Sequence, residues 1–392
     1  MKRRFITGFA LLSLFCAQSQ TTPTDSTSYK SQKIKLDEIN LVSSYYKQDG
    51  NNSAVTGGIG SEELTDISNT IDVKFIRYTK SGKKQTLDVE VGVDQYTSAS
   101  SDQVDLNANS SASSADTRFY PSINYSIENE EKGNTLGFGV SSSTEYDYQS
   151  FGGTVSYAKK TKDKNGEFTA KFQAYLDQVK TIKPVELRTN EDSGSESRNT
   201  FAGSFSYSQI INKNFQLMFL ADVISQQGYL SLPFHRVYFN DLSVHQEKLP
   251  DSRLKIPIAL RASYFLGDNV IIRAYYRYYS DDWKLTSHTI NLEVPIKLSP
   301  FFSVSPFYRY YQQGATKYFN GYGQHTANEE FYTSNYDLSA FNSNFLGMGV
   351  KFSPLKGVFG IKHFHTLEMR YGHYSKTNLM TSNIISINIK YK

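Results

Sequence analysis

Cysteine is almost missing from this chain of 392 residues: Cys16 is the only one. A disulfide needs two thiols and a thiolate metal centre needs several, so both are excluded. Beyond the N-terminus, no apolar run approaches the ~20 residues a membrane helix needs. That excludes a helical membrane protein. Tryptophan occurs once, and the net charge is only +4, too little for a strong general attraction to nucleic acid. Against these scarcities stand 29 Tyr and 26 Phe. Rings in such number, in an otherwise polar chain, fit a barrel with aromatic girdles at both membrane interfaces and a polar interior.

Residues 1–19 read as a secretory signal. Lys2, Arg3 and Arg4 form its charged region, Phe5 to Cys16 its short apolar core, and Ala17-Gln18-Ser19 a small-residue cleavage site. Cys16 invites a lipid anchor, but Phe15 stands where that signal needs a small residue, so Cys16 reads as part of the apolar core. Cleavage removes the cysteine and lowers the net charge from +4 to +1. The Thr/Ser-rich stretch 20–35 reads as a flexible periplasmic lead, and 36–392 as the barrel.

The last twelve residues show the barrel pattern most clearly. Ile385, Ile387, Ile389 and Tyr391 alternate with Ser386, Asn388 and Lys390, giving one apolar and one polar face. Sixteen such segments are expected, near 36–47, 69–79, 85–97, 118–129, 135–146, 149–161, 167–179, 199–210, 215–228, 253–265, 270–280, 284–297, 302–312, 342–353, 360–374 and 381–391. Fourteen follow instead if the edges of 135–161 are drawn differently. Their connections sort by length. Ser81 to Lys83, Glu130 to Gly133, Asp163 to Gly166, Asn212 to Asn214, Gly267 to Asn269, Ser299-Pro300 and Pro354 to Gly357 are short and rich in turn residues. Stretches 48–68, 98–117, 180–198, 229–252 and 313–341 are long, and Ala99 to Ala115 reads as a mobile surface loop. The pattern predicts an all-β, transmembrane antiparallel barrel in the outer membrane, with short periplasmic turns and long extracellular loops.

Alternation also assigns faces. Leu87, Val89, Val91 and Val93 oppose Asp88, Glu90 and Asp94, and charge is costly in lipid, so the acidic set faces the lumen. Leu254, Ile256, Ile258, Leu260 and Tyr264 likewise face lipid. With Asp72, the acidic residues form one predicted wall on the second and third strands. Arg253, Lys255, Arg261, Arg273, Arg277 and Arg309 form a basic wall on strands ten to thirteen, half a circumference away. Such walls either set a field across an open lumen or pair to close it, with Tyr275, Tyr279, Phe307 and Tyr311 filling space.

Catalytic signatures are lacking. There is no Gly-x-Ser-x-Gly, no His-Glu-x-x-His and no phosphate-cradling loop. Glu62 and Glu63 are adjacent rather than set across a cleft. His363 and His365 share a face with Leu367, Met369 and Tyr371, which is the lipid face. His235 and His245, near Asp241 and Glu247, match no metal-ligand spacing. The expectation is a non-enzymatic protein with neither metal nor cofactor.

Ile39 to Asp66 reads INLVSSYYKQDGNNSAVTGGIGSEELTD. This stretch, with Pro184 to Arg188 (PVELR) and Phe234 to Phe239 (FHRVYF), closely resembles an uncharacterised bacterial family known only as domain of unknown function DUF3570. The resemblance spans nearly the whole mature chain and implies an outer-membrane barrel. It also implies a gene neighbourhood of ApbE-type flavin transferase, thioredoxin-like protein and small lipoprotein, hence a link to envelope redox chemistry or export. It assigns no catalytic residues. Read physically, Asp49 begins a turn, and Gly57, Gly58 and Gly60 permit positive φ or close approach. With Glu62, Glu186, Arg188, His235 and Arg236 they form a candidate loop site, either folded inward or a plain surface cap. The leading expectation is a channel or transporter for a small solute or exported product. The other is a plugged barrel that scaffolds an envelope partner such as a small lipoprotein. Outer-membrane lipid is the expected surrounding in both.

Overall fold

The structure, a computed structural model, describes residues 32–97, 115–188 and 194–392. The leader, most of the lead and the loop from Ala99 lie outside the described residues. Sixteen antiparallel strands follow one another around a closed barrel. They are β1 (Lys35–Asp49), β2 (Leu64–Tyr78), β3 (Lys84–Thr97), β4 (Ala115–Asn129), β5 (Asn134–Thr144), β6 (Tyr148–Lys160), β7 (Gly166–Lys180) and β8 (Ser195–Asn212). Then come β9 (Phe215–Gly228), β10 (Ser252–Leu266), β11 (Val270–Asp281), β12 (Thr286–Glu293, continued by Ile296–Ser299), β13 (Phe302–Gln313), β14 (Phe341–Phe352), β15 (Phe364–Lys376) and β16 (Met380–Tyr391). Closure is made by β1 on β16, in register from Ile39 opposite Tyr391 to Asp49 opposite Thr381. The ring therefore has no free edge.

The alternation read from sequence fixes the faces. Leu254, Ile256, Ile258, Leu260 and Tyr264 stand exposed on the outside of β10, while Ala259 between them is buried. Phe151 and Leu346 are more than half exposed on the same outer surface. Apolar side chains bared in this way are stable only against lipid.

Several strand limits differ from expectation, and three of the differences have a local reason. The second strand starts at Leu64, not near 69, because Leu64 and Asp66 pair with Gln48 and Tyr46 and carry the hairpin beyond the apolar stretch. The twelfth breaks at Val294-Pro295, since proline has no N–H to give the ladder. The fifteenth begins at Phe364 rather than 360, because Val358–Gly360 forms a short 3-10 turn.

Loop lengths divide by end. At one end the connections are short, and side chains close several of them. The Asn214 N–H donates to Asn212 Oδ1 at 2.9 Å, and the Asn165 N–H to Asp163 Oδ1 at 3.2 Å. The exception is 353–363, which holds the 3-10 turn. At the other end run 50–63, 181–194, 229–251 and 314–340, with short links at 145–147, 282–285 and 377–379.

Candidate functional site

Two groups of polar residues are built on this frame: the lumen walls and a loop body above them. Strand order sets the walls apart, with β2 and β3 half the ring from β10 and β11.

The predicted acidic wall is present but largely answered from within. Asp88 lies 3.8 Å from Lys74. Glu38, on neighbouring β1, lies 2.9 Å from Lys390 and 4.0 Å from Lys74. Asp94 accepts from Ser68 at 2.6 Å and Tyr120 at 2.9 Å, and Asp72 accepts from Asn40 at 3.1 Å. Glu90 sits opposite Asp72 in register.

The basic wall divides into two levels. Arg253 and Lys255 stand at the long-loop rim. Arg253 donates through Nε to Asp281 Oδ2 at 2.9 Å and lies 4.3 Å from the Trp283 ring, so its charge is already matched. Lys255 is opposite Asp281 in register. Deeper in the lumen stand Arg261, Arg273, Arg277 and Arg309, around a recess of about 690 Å³ that also touches Tyr275, Asn291 and Glu293. A second recess, about 270 Å³, continues past Phe307 and Phe345 to Arg370 on β15. Glu293 accepts from Arg370 at 2.7 Å and lies 3.5 Å from Arg273. Rings flank two of the other guanidinium groups: Arg261 is 5.7 Å from the Tyr275 centroid, and Arg309 is 5.6 Å from that of Phe345. Arg370 and Glu293 are absent from the walls read in sequence. The same alternation marks both as inward, between outward Met369 and Tyr371 and beside outward Leu292.

The candidate loop residues are only partly brought together. Arg236 is 3% exposed, on a short hairpin strand (Arg236–Tyr238) that pairs with Val244–Gln246. Its guanidinium meets both Glu186 oxygens, with Nη2 to Oε2 at 2.8 Å, and donates to the Val55 carbonyl at 2.6 Å. One side chain thus joins three loops. The bond from Arg236, outweighing partial burial, holds the Glu186 carboxyl below its usual range. Gly57 and Gly58 have φ of 83° and 87°, and a Cβ on either would run into Tyr238 or the Ser334 carbonyl. Their lack of side chain is what lets this loop seat. Gly60 bridges to Asn52.

The remaining candidates stand elsewhere. Asp49 ends β1 on the exposed side, since Gln48 takes the inward position. Glu62 lies by Asp337 and Lys376, where burial and Asp337 raise its carboxyl. Arg188 donates to its own loop, at the Lys183 carbonyl.

His235 leads to a residue that sequence treated only as a neighbour of the loop histidines. Its Nδ1 is 3.7 Å from Glu247, which is fully buried and accepts from the Leu232 N–H at 2.7 Å and from Thr333. Burial alone would raise Glu247; the bonds and the nearby His235 outweigh it and lower the carboxyl. Thr333 belongs to loop 314–340, which also buries His325 between Glu329 and the Thr333 carbonyl. No motif marks these partners, because the contacts span 86 residues of sequence.

For a metal, the described residues offer one carboxylate group: Asp116, Glu145 and Asp147 bring ligand atoms within 4.8 Å of one another. Tyr96 donates to Glu145 and the Thr117 N–H to Asp116, so the protein already serves much of it. His363 lies outside the strand, against the Lys392 carbonyl.

No curated protein matches the chain. Solved structures that resemble it are barrels. OpdK of Pseudomonas aeruginosa, crystallised with vanillate, is 7% identical with a TM-score of 0.43, covering 90% of this chain and 97% of its own. A BenF-like porin from Pseudomonas fluorescens Pf-5 is 12% identical at 0.43, covering 91% and 98%. A bacterial polysaccharide outer-membrane secretin is 8% identical at 0.48, covering 91% and 97%. Likeness at this level reflects a barrel outline and assigns neither solute nor mechanism. Sequence is more specific: the chain matches over residues 5–384, and so belongs to, the family described as protein of unknown function, DUF3570.

Proposed function

We propose that this protein is a non-enzymatic outer-membrane channel that passes small hydrophilic solutes through its lumen. One observation carries the reading. Charged lumen residues pair within their own wall, as Asp88 does with Lys74 and Glu293 with Arg370, rather than across the barrel. Ion pairs that stay within one wall leave the space between the walls unbridged, and a charged, recessed interior inside an apolar outer surface is the arrangement of a pore.

The purified protein in planar lipid should therefore give steady ion conductance. Changing Arg273 and Arg277 together to Gln should shift the reversal potential toward cation preference at low salt. The shift should fade near 1 M salt, where the Debye length is ~3 Å. A conducting double mutant with an unchanged low-salt reversal potential would remove the arginines from the permeation path.

Orientation follows from the loops. A tag inserted at Leu242, which is 70% exposed in loop 229–251, should be labelled on intact cells. One at Gly82, in the turn between β2 and β3, should be labelled only after the outer membrane is opened. The reverse pattern would invert the topology.

A second reading, a plugged barrel that docks an envelope partner, is favoured by the loop body itself. Four loops locked through Arg236 and Glu247 form an ordered surface rather than a fringe. Persistent electrical silence with intact β structure would favour it.

A further inference from the structure

The two lumen walls are not built alike. On the acidic wall, Asp72, Asp88 and Asp94 each have a hydrogen-bond or ionic partner. On the basic side the balance fails. Arg261, Arg273, Arg277, Arg309 and Arg370 bring five positive charges, against Glu293 and Glu368. Among the described residues, no carboxylate lies within ion-pair distance of Arg261, Arg277 or Arg309. Arg277 Nε is buried and has no hydrogen-bond partner. Arg261, Arg273 and Arg309 are exposed to the lumen, so the cost of an unanswered buried guanidinium falls on Arg277. The Tyr275 and Phe345 rings beside Arg261 and Arg309 offer cation–π contact but accept no conventional hydrogen bond.

We infer that the recess between β9 and β15 is a selectivity site for small organic polyanions, the class of di- and tricarboxylates. Three features set the class. Five guanidinium groups against two carboxylates leave an excess of three positive charges, which suits a multivalent anion. Guanidinium forks match planar carboxylates in bidentate geometry. The larger recess, about 690 Å³, is metabolite-sized, and Tyr275 within it and Phe307 and Phe345 in the adjoining recess of about 270 Å³ give a carbon skeleton something to lie against. The site deepens the channel reading and rests on it for its role, but binding can be measured apart from conduction.

Citrate is the probe, with glucose as an uncharged control. Citrate titrated into the detergent-solubilised protein should give saturable heat, and millimolar citrate should interrupt the potassium chloride current. Glucose should do neither. Arg277→Gln with Arg309→Gln should weaken citrate binding roughly tenfold or more, the loss expected for hydrogen bonds to charged groups. Lys74→Gln, on the opposite wall, removes one positive charge, and it should leave binding within about twofold if the effect is local, whereas Arg277→Gln alone, which removes the same single charge, should weaken binding by more than that. Heat-modifiable gel migration confirms that each variant is a folded barrel. Conduction without citrate heat or block in the wild type would overturn the site and leave the channel. Citrate binding without conduction would keep the site and overturn the channel. Equal weakening by Lys74→Gln would reduce the site to a general field and so overturn it.

Discussion

Arg236→Ala should release the loop body while the barrel stays folded. Arg236 is buried and joins three loops, through Glu186, through the Val55 carbonyl and through its own hairpin. Alanine leaves a carboxylate and a carbonyl without their donor. Breaking a fully buried ion pair costs ~3–5 kcal/mol. The Glu186 side chain is 36% exposed and water recovers part of the loss, so about 2 kcal/mol is expected here. Cleavage of loop 229–251 by a soluble protease should then accelerate by roughly thirtyfold, since cleavage follows the population of the open form when closing is fast. The midpoint of barrel unfolding should hardly move, because no strand pairing passes through Arg236. Arg236→Lys should behave much like the alanine variant, as one ammonium cannot hold two acceptors in fork geometry. Unchanged protease sensitivity in both would mean that the loops are held by their remaining contacts, chiefly those of Glu247.

Ile387→Asp should impair assembly far more than Asn388→Asp. Ile387 lies mid-strand on the outer face of β16, opposite Ser43 of β1 and Met369 of β15. The change puts a carboxylate into lipid at the seam that closes the ring. An acidic residue there costs somewhat less than the ~2–4 kcal/mol found for basic ones near the midplane. The same residue belongs to the β1–β16 ladder that closes the ring, so the folded, heat-modifiable fraction should drop severalfold. Asn388 faces the lumen, opposite Glu368. An aspartate there meets one like charge, at a cost of under ~1 kcal/mol, with Lys390 two residues along the same face. Equal folded fractions for the two variants would show that the alternation has been placed on the wrong faces.

Sequence alone showed the strand alternation, its two faces and the sorting of turns from loops, with fourteen strands left open beside the sixteen that the barrel has. Those features depend on period-two patterning in a chain that has lipid on one side and water on the other, and such patterning is local. Arg370 and Glu293 were legible for the same reason, from the alternation of their own strands. The loop motif around Gly57 and Gly58 was legible as unusual backbone, because several glycines together signal close approach. Sequence could not supply partners. Thr333 meets Glu247, and Arg236 reaches the Val55 carbonyl, across long stretches of chain. Such contacts exist only once the ring closes and brings four loops over one opening. Nor could it show that Arg253 is matched by Asp281 while Arg261, Arg277 and Arg309 are left without carboxylates. Side-chain type sets which charges face inward, but register between neighbouring strands decides which of them neutralise each other. Only the tertiary structure fixes that register all the way round.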